Sequence, residues 1–92
     1  IIISIMFDDI ALDYVYSSID GFINNNLSNK IIIELSTTSV EKIKSLQQIV
    51  TKLNGEFIEC PVGGSTKPAR DGNLLGLVCG NKKTFDMVEY VL

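Results

Sequence analysis

Histidine is absent from the 92 residues, which removes Ser-His and Cys-His catalysis and the commonest zinc ligand in one stroke. Cysteine is scarce: Cys60 and Cys79 are the two present, without C-x-x-C spacing. They read as small core residues of a reduced, cytosolic protein rather than a disulfide, and Met6 and Met87 read as core in the same way. No apolar run approaches the ~20 residues of a membrane span. Basic residues are few and unclustered: eight Lys plus Arg stand against eleven Asp plus Glu, a net charge of −3. That balance argues against binding a nucleic-acid phosphate backbone. No G-x-G-x-x-G fingerprint occurs anywhere. What is present is apolar: 46% hydrophobic against 21% charged, enough for one small domain with its own core and too apolar for disorder.

The pattern alternates. Ile1 to Met6 is an almost unbroken β-branched run, expected as a strand at 1–6 buried on both faces. Asp8 or Asp9 can cap the helix that follows, in which Ile10, Tyr14, Val15 and Ile19 would share the inner face. Gly21 lets the chain leave, and Asn24 through Asn29 reads as a polar surface loop. A second buried strand is expected at 31–35. Thr38-Ser39-Val40-Glu41 has the spacing of a capping box, and Val40, Ile43, Leu46, Ile49, Val50 and Leu53 form one helical stripe ending at Gly55 in the C′ position. A third strand is expected at 56–60. Residues 61–72 form a loop with one helical turn near Lys67 to Arg70, a fourth strand lies at 74–79, and Asn81 caps a last helix burying Phe85, Val88, Val91 and Leu92. Apolar strands alternating with amphipathic helices predict an α/β fold, three parallel strands in sequence order with helices on both faces. The fourth strand is expected antiparallel at the edge, because the loop before it is short for a parallel return.

In such sheets ligands bind at the carboxyl ends of the strands. Three stretches lie there: Met6-Phe7-Asp8, Ser36-Thr37-Thr38, and Pro61-Val62-Gly63-Gly64-Ser65. Each has a plainer reading. Asp8 and Asp9 can be helix caps, residues 36–39 can serve only to start a helix, and the Pro-Gly loop can be a turn. Their coincidence on one edge says more than any one of them. Gly63 and Gly64 would let backbone N–H groups approach an anion closely, with the Ser65 hydroxyl as a further donor.

Glu34-Leu35-Ser36-Thr37, a helix, Gly55-Glu56-Phe57-Ile58-Glu59-Cys60-Pro61-Val62-Gly63-Gly64-Ser65, then Ala69-Arg70-Asp71-Gly72-Asn73-Leu74 and Cys79-Gly80 together resemble the β-hydroxyacid dehydrogenase family. The family's pattern there is D-x-S-T, a helix, G-x-x-F-x-D/E-A-P-V-S-G, A-x-x-G-x-L and G-G. The version from Gly64 to Gly72 is most similar to the glyoxylate/succinic semialdehyde reductase branch, and Ile2 to Asp9 resembles the family's V-I-T-M-L-P-D-D. The resemblance implies the second half of a Rossmann-like NAD(P)-binding domain, with NADP or NAD as cofactor. It puts Met6, Phe7 and Thr37 beside the cofactor and Gly63, Gly64 and Ser65 around the carboxylate of a small substrate. The parent is expected to be a homo-oligomer, and composition points to a cytoplasmic protein with no membrane or nucleic-acid partner. Two departures stand out: Gly63 replaces the family's Ser, and Phe7 its Pro.

The apolar ends and the missing initiator Met lead us to expect a piece of a longer protein, residues 1–92 being a partial NAD(P)-binding domain. The family's glycine-rich fingerprint would precede Ile1, and its catalytic Lys, which donates a proton to the carbonyl oxygen, would follow Leu92. The chain alone is then expected to be inactive. The leading expectation is a fragment of an oxidoreductase interconverting a small 3-hydroxyacid, or 2-hydroxyacid, and its aldehyde or keto acid. The rival is a catalytically dead dehydrogenase-like module used for oligomerisation or protein binding. A flavodoxin-like or P-loop domain is a third reading, disfavoured because no phosphate loop follows the first strand.

Overall fold

The computed structural model describes all 92 residues. Strand β1 is Ile2–Ser4, helix α1 Asp9–Ser17, strand β2 Ile31–Glu34, helix α2 Val40–Lys52 and strand β3 Glu56–Glu59. Then come β4 Val62–Gly63, α3 Thr66–Asp71, β5 Leu75–Gly76, β6 Cys79–Gly80 and α4 Lys82–Val88. The main sheet has the order β1-β2-β3-β6. Its first three strands are parallel, with Ile2 opposite Ile32 and Ile32 opposite Phe57, and β6 is antiparallel to β3. The expected neighbours and directions of the first three strands hold.

Period-two alternation sorts the sheet residues onto two cores. Ile32 and Phe57 face α1 and α2, where they pack with Leu12, Tyr16, Leu27, Ile43, Leu46 and Val50. Ile31, Ile33, Ile58 and Cys60 face the other way, against Val88 and the half-buried Phe85 of α4. All four residues of β2 are buried, each isoleucine there contributing roughly 1.5–3 kcal/mol.

Several expectations need correction. The first strand is shorter than 1–6, and it is not buried on both faces. As an edge strand covered on one side, it leaves Ile1, Ile3 and Ile5 about half exposed. Helix α1 is rotated from the expected stripe: Leu12 and Tyr16 are buried, while Ile10 is 81% exposed and Tyr14 and Ile19 also face solvent. The helix has two apolar faces, and the Tyr16 hydroxyl chooses between them by finding a buried partner in β2. The 74–79 stretch is not one strand. Leu75–Gly76 pairs with Val62–Gly63 in a separate hairpin, and only Cys79–Gly80 reaches the main sheet. Val91, Leu92, Met87 and Cys79 are exposed rather than core, because α4 ends at Val88 and covers only part of its face.

The helix ends follow local chemistry. Asp8 caps α1 by accepting from the Ala11 N–H at 2.8 Å, and Asn81 caps α4 by accepting from Lys83 N–H at 2.9 Å. The cap of α2 is Ser39 and not Thr38, its hydroxyl accepting from Lys42 N–H at 3.2 Å. The capping-box register is thereby shifted by one, and Thr38 is free to donate to Asp9 instead. At the other end of α2, Asn54 takes the left-handed C′ position (φ 66°), and Gly55 is the residue after it. Gly55 N–H closes on Val50 C=O at 2.9 Å and Asn54 N–H on Thr51 C=O at 3.0 Å, the paired bonds of a Schellman motif. Gly55 is needed for space: a Cβ there would lie 2.9 Å from both Leu27 Cβ and Val50 Cγ1.

This separation of roles is testable by urea unfolding. Gly55→Ala should cost about 1–3 kcal/mol by overpacking the α1–α2 core. Asn54→Gly should stay within about 1 kcal/mol of the parent chain, since glycine enters the left-handed region freely but loses more chain entropy on folding. Equal effects at the two positions would contradict the assignment.

Candidate functional site

Parallel pairing puts the carboxyl ends of β1, β2 and β3 on one edge of the sheet. The three stretches singled out in the sequence all leave from that edge. Two of them are joined directly. The last main-chain bond between β1 and the β2 segment runs from Leu35 N–H to Ser4 C=O at 2.8 Å. One step further, the Met6 N–H donates to Ser36 Oγ at 2.6 Å. Met6 is thereby half-buried, against its expectation as core, while the Phe7 side chain is 91% exposed. Thr37 is exposed in the segment between β2 and α2.

The third stretch is shaped by its glycines. Val62–Gly63 pairs with Leu75–Gly76, so the loop from Pro61 folds back as a hairpin. Gly64 sits at φ 136°, a backbone conformation that favours glycine, while the nearest atom to an added Cβ, Leu74 Cδ2 at 2.8 Å, is the end of an exposed side chain that can move aside. Gly63 is not so constrained: its nearest neighbour for an added Cβ is Leu75 O at 4.0 Å. Ser65 precedes α3 without using its side chain as a cap, which leaves the hydroxyl free on an exposed residue. Behind the hairpin lies an open apolar cavity of about 300 Å³, lined by Ile33, Leu35, Cys60, Val62, Leu74 and Val78 among others.

Beneath the first two stretches is a polar cluster that sequence reasoning missed. Glu34 is fully buried. Its Oε1 accepts from Ser36 N–H at 3.0 Å and its Oε2 from the Tyr16 hydroxyl at 2.7 Å. Burial first, and the Glu34 carboxylate second, push the Tyr16 phenol far above its usual range, so it stays protonated and donates. Ser4 Oγ is buried in the same cluster near the Tyr16 hydroxyl, where it works weakly against the upward push on the phenol. The available signal was a lone acidic residue ending a strand otherwise made of isoleucine, since a charge in that position must find partners.

Other groups contribute little chemistry. Burial pushes the Cys60 thiol up, which suits a core residue and not a nucleophile. No group of three His, Cys, Asp or Glu side chains is placed to hold a metal ion. No helix is long and apolar enough to cross a membrane.

The family described as the NAD binding domain of 6-phosphogluconate dehydrogenase matches residues 1–92. Among curated proteins, the chain is similar to glyoxylate/succinic semialdehyde reductase 1 of Arabidopsis thaliana, 36% identical over 76 residues. That match covers 83% of this chain and 26% of the reductase. It is also similar to the cytokine-like nuclear factor N-PAC of Danio rerio, 32% identical over 66 residues, covering 72% of this chain and 14% of that protein. Among solved structures, Psf3 in complex with NADP+ and 2-OPP superposes with a TM-score of 0.86 at 23% identity, over 97% of this chain and 32% of that one. At that identity the superposition shows the fold, a Rossmann-like one. The chain spans about a quarter or less of the two curated relatives.

The geometry of the glycines predicts opposite outcomes at adjacent positions. Gly63→Ser should leave the melting temperature within a degree or two, because the new side chain meets open space. Gly64→Ser should cost on the order of 1–3 kcal/mol through backbone strain at its positive φ. Thermal unfolding of the two variants side by side checks this.

Proposed function

The chain belongs to the family of NAD-binding domains of the 6-phosphogluconate dehydrogenase type, and from that premise we propose that it is the second half of the cofactor domain of an NAD(P)-dependent oxidoreductase. The reaction is the interconversion of a small 3-hydroxyacid, or 2-hydroxyacid, and its aldehyde or keto acid. The observation that carries this reading is the shared edge. Three parallel strands end together, and the ends of the first two are tied by the Met6–Ser36 bond.

The residues present fit part of a dinucleotide. Met6 and the exposed Phe7 ring offer an apolar wall, and Thr37 a hydroxyl, on the side of the edge that the family's nicotinamide would take. No glycine-rich turn follows β1, and on this reading the pyrophosphate would be held by the other half of the cofactor domain. A nicotinamide held along this edge would supply the hydride chemistry. The part of these residues is to orient and to exclude water. Backbone N–H groups of Gly64 and Ser65, with the free Ser65 hydroxyl, suit a substrate carboxylate, each charge-assisted bond contributing on the order of 1.5–3 kcal/mol. On this reading the proton to the substrate oxygen comes from the catalytic Lys that the family places outside this domain half.

A second reading is favoured by one observation, the similarity to a protein named as a nuclear factor. On that reading the domain is catalytically silent and serves oligomerisation or protein binding. The replacement of the family's Ser by Gly63 is compatible with it.

The full-length protein decides between the two. With NADPH or NADH and a panel of small aldehyde and keto acids, including glyoxylate and succinic semialdehyde, nicotinamide absorbance should fall for at least one pair. Gly63→Ser should lower KM for the acid by up to roughly tenfold, and Ser65→Ala should raise it, without loss of folding. Cofactor binding without turnover of any acid favours the silent module. In calorimetric titration the 92-residue chain alone should bind neither dinucleotide at micromolar concentration; tight binding would mean that the glycine-rich turn is dispensable.

A further inference from the structure

Between β1 and β2 the main-chain ladder stops at the Ser4–Glu34 pair and the Leu35-to-Ser4 bond that follows it. The next amide that needs an acceptor is Met6, and it is taken by a side chain, Ser36 Oγ, at 2.6 Å. The Ser36 backbone is itself anchored, its N–H donating to Glu34 Oε1 at 3.0 Å. Glu34 in turn is fixed from the opposite layer by the Tyr16 hydroxyl of α1 at 2.7 Å. Glu34, Ser36 and Tyr16 are all buried, so the two bonds that Glu34 makes are shielded from solvent, while the Met6 bond is part-buried. The chain of bonds runs from a helix, through the end of the central strand, to the segment that carries Met6 and Phe7. Ser36 and Thr37 are adjacent. The same cluster therefore sets where both strand-end segments stand.

We propose that Glu34 and Ser36 are positioning residues for the cofactor, the buried carboxylate orienting Ser36 and the Ser36 hydroxyl fixing the Met6 segment at a set distance from Thr37. The inference rests on the oxidoreductase reading and adds residues that touch no ligand themselves. A purely structural role would show only in stability. A positioning role shows in how the cofactor binds.

Three variants of the full-length protein separate these. Ser36→Ala removes the acceptor of the Met6 amide. Ser36→Thr keeps the hydroxyl. Val50→Ala cuts the core on the same side of the sheet, away from the strand ends, and supplies a comparable loss of melting temperature. We expect Ser36→Ala to speed hydrogen exchange of the Met6 amide at least tenfold and to raise the Kd and KM for the dinucleotide about tenfold. The KM for the acid should change less than twofold. Ser36→Thr should recover most of the lost affinity, and Val50→Ala should leave it within twofold. If Ser36→Ala binds the dinucleotide as the wild type does, or if Val50→Ala weakens it equally, the positioning role is overturned while the oxidoreductase reading stands. If the wild-type protein binds neither NADPH nor NADH, the functional reading falls, and this one with it.

Discussion

A carboxylate buried at the end of the central strand has to be satisfied without water, and much of the molecule is arranged around that requirement. Leaving one bond of a buried group unmade costs about 1–3 kcal/mol, as much as burying a whole aliphatic side chain. Total stabilities of small domains are about 5–15 kcal/mol. Glu34 therefore has the leverage to orient a helix. It draws the Tyr16 hydroxyl inward, and with it the face of α1 that carries Leu12. Ile10 and Tyr14 are left outside. Edge-on packing of Tyr16 against Phe22, with ring centroids 5.0 Å apart, closes the other end of that face.

The same carboxylate links fold to site. In a sheet whose strands end in apolar residues, the loops beyond the ladder would be held only by their own turn chemistry. Here the turn after β2 is pinned from below, and the segment after β1 is pinned to that turn. The hairpin at 62–76 is held differently, by a short ladder and by a glycine in a conformation that other residues avoid. Two of the three edge segments are thus coupled through the core, and the third is built on its own. A cofactor contacting the first two and a substrate contacting the third would accordingly respond to different substitutions.

What the sequence made legible was whatever depends on one dominant signal. The runs of isoleucine at 31–33 could be little else than a doubly buried strand, and the stripe from Ile43 to Leu53 could be little else than a helix on the sheet. Strand order followed, because right-handed crossovers leave few alternatives. The stripe of α1 was misjudged because Ile10, Tyr14 and Ile19 compete with Leu12 and Tyr16 on hydrophobicity alone, and the deciding interaction is a tertiary hydrogen bond. The 74–79 stretch was misjudged because period and composition do not say which partner a short strand will find. At the site, the positions of Met6, Phe7, Thr37 and the Gly63–Ser65 loop relative to the strands were legible. The buried cluster under them was not, since it joins residues far apart in sequence.

The two faces of the sheet are finished to different degrees, and this bears on how the domain is used. On the α1–α2 side the apolar residues of the sheet are covered. On the α4 side, Ile3, Leu35, Val62, Leu74, Val78 and Leu92 line an apolar cavity open to solvent. Strand β1 forms one edge of the sheet, and the chain there carries Ile1, Ile3 and Ile5 without a Lys or Pro to discourage pairing. An edge of that kind is a template for a further strand, and an apolar face of that kind favours a further helix or a second subunit. On the proposed reading both belong to the longer protein. The polar cluster then has a second consequence. It fixes β1 to β2 from the covered side, so the edge strand is already in register, and its carboxyl end already in place, before anything is added to the open side.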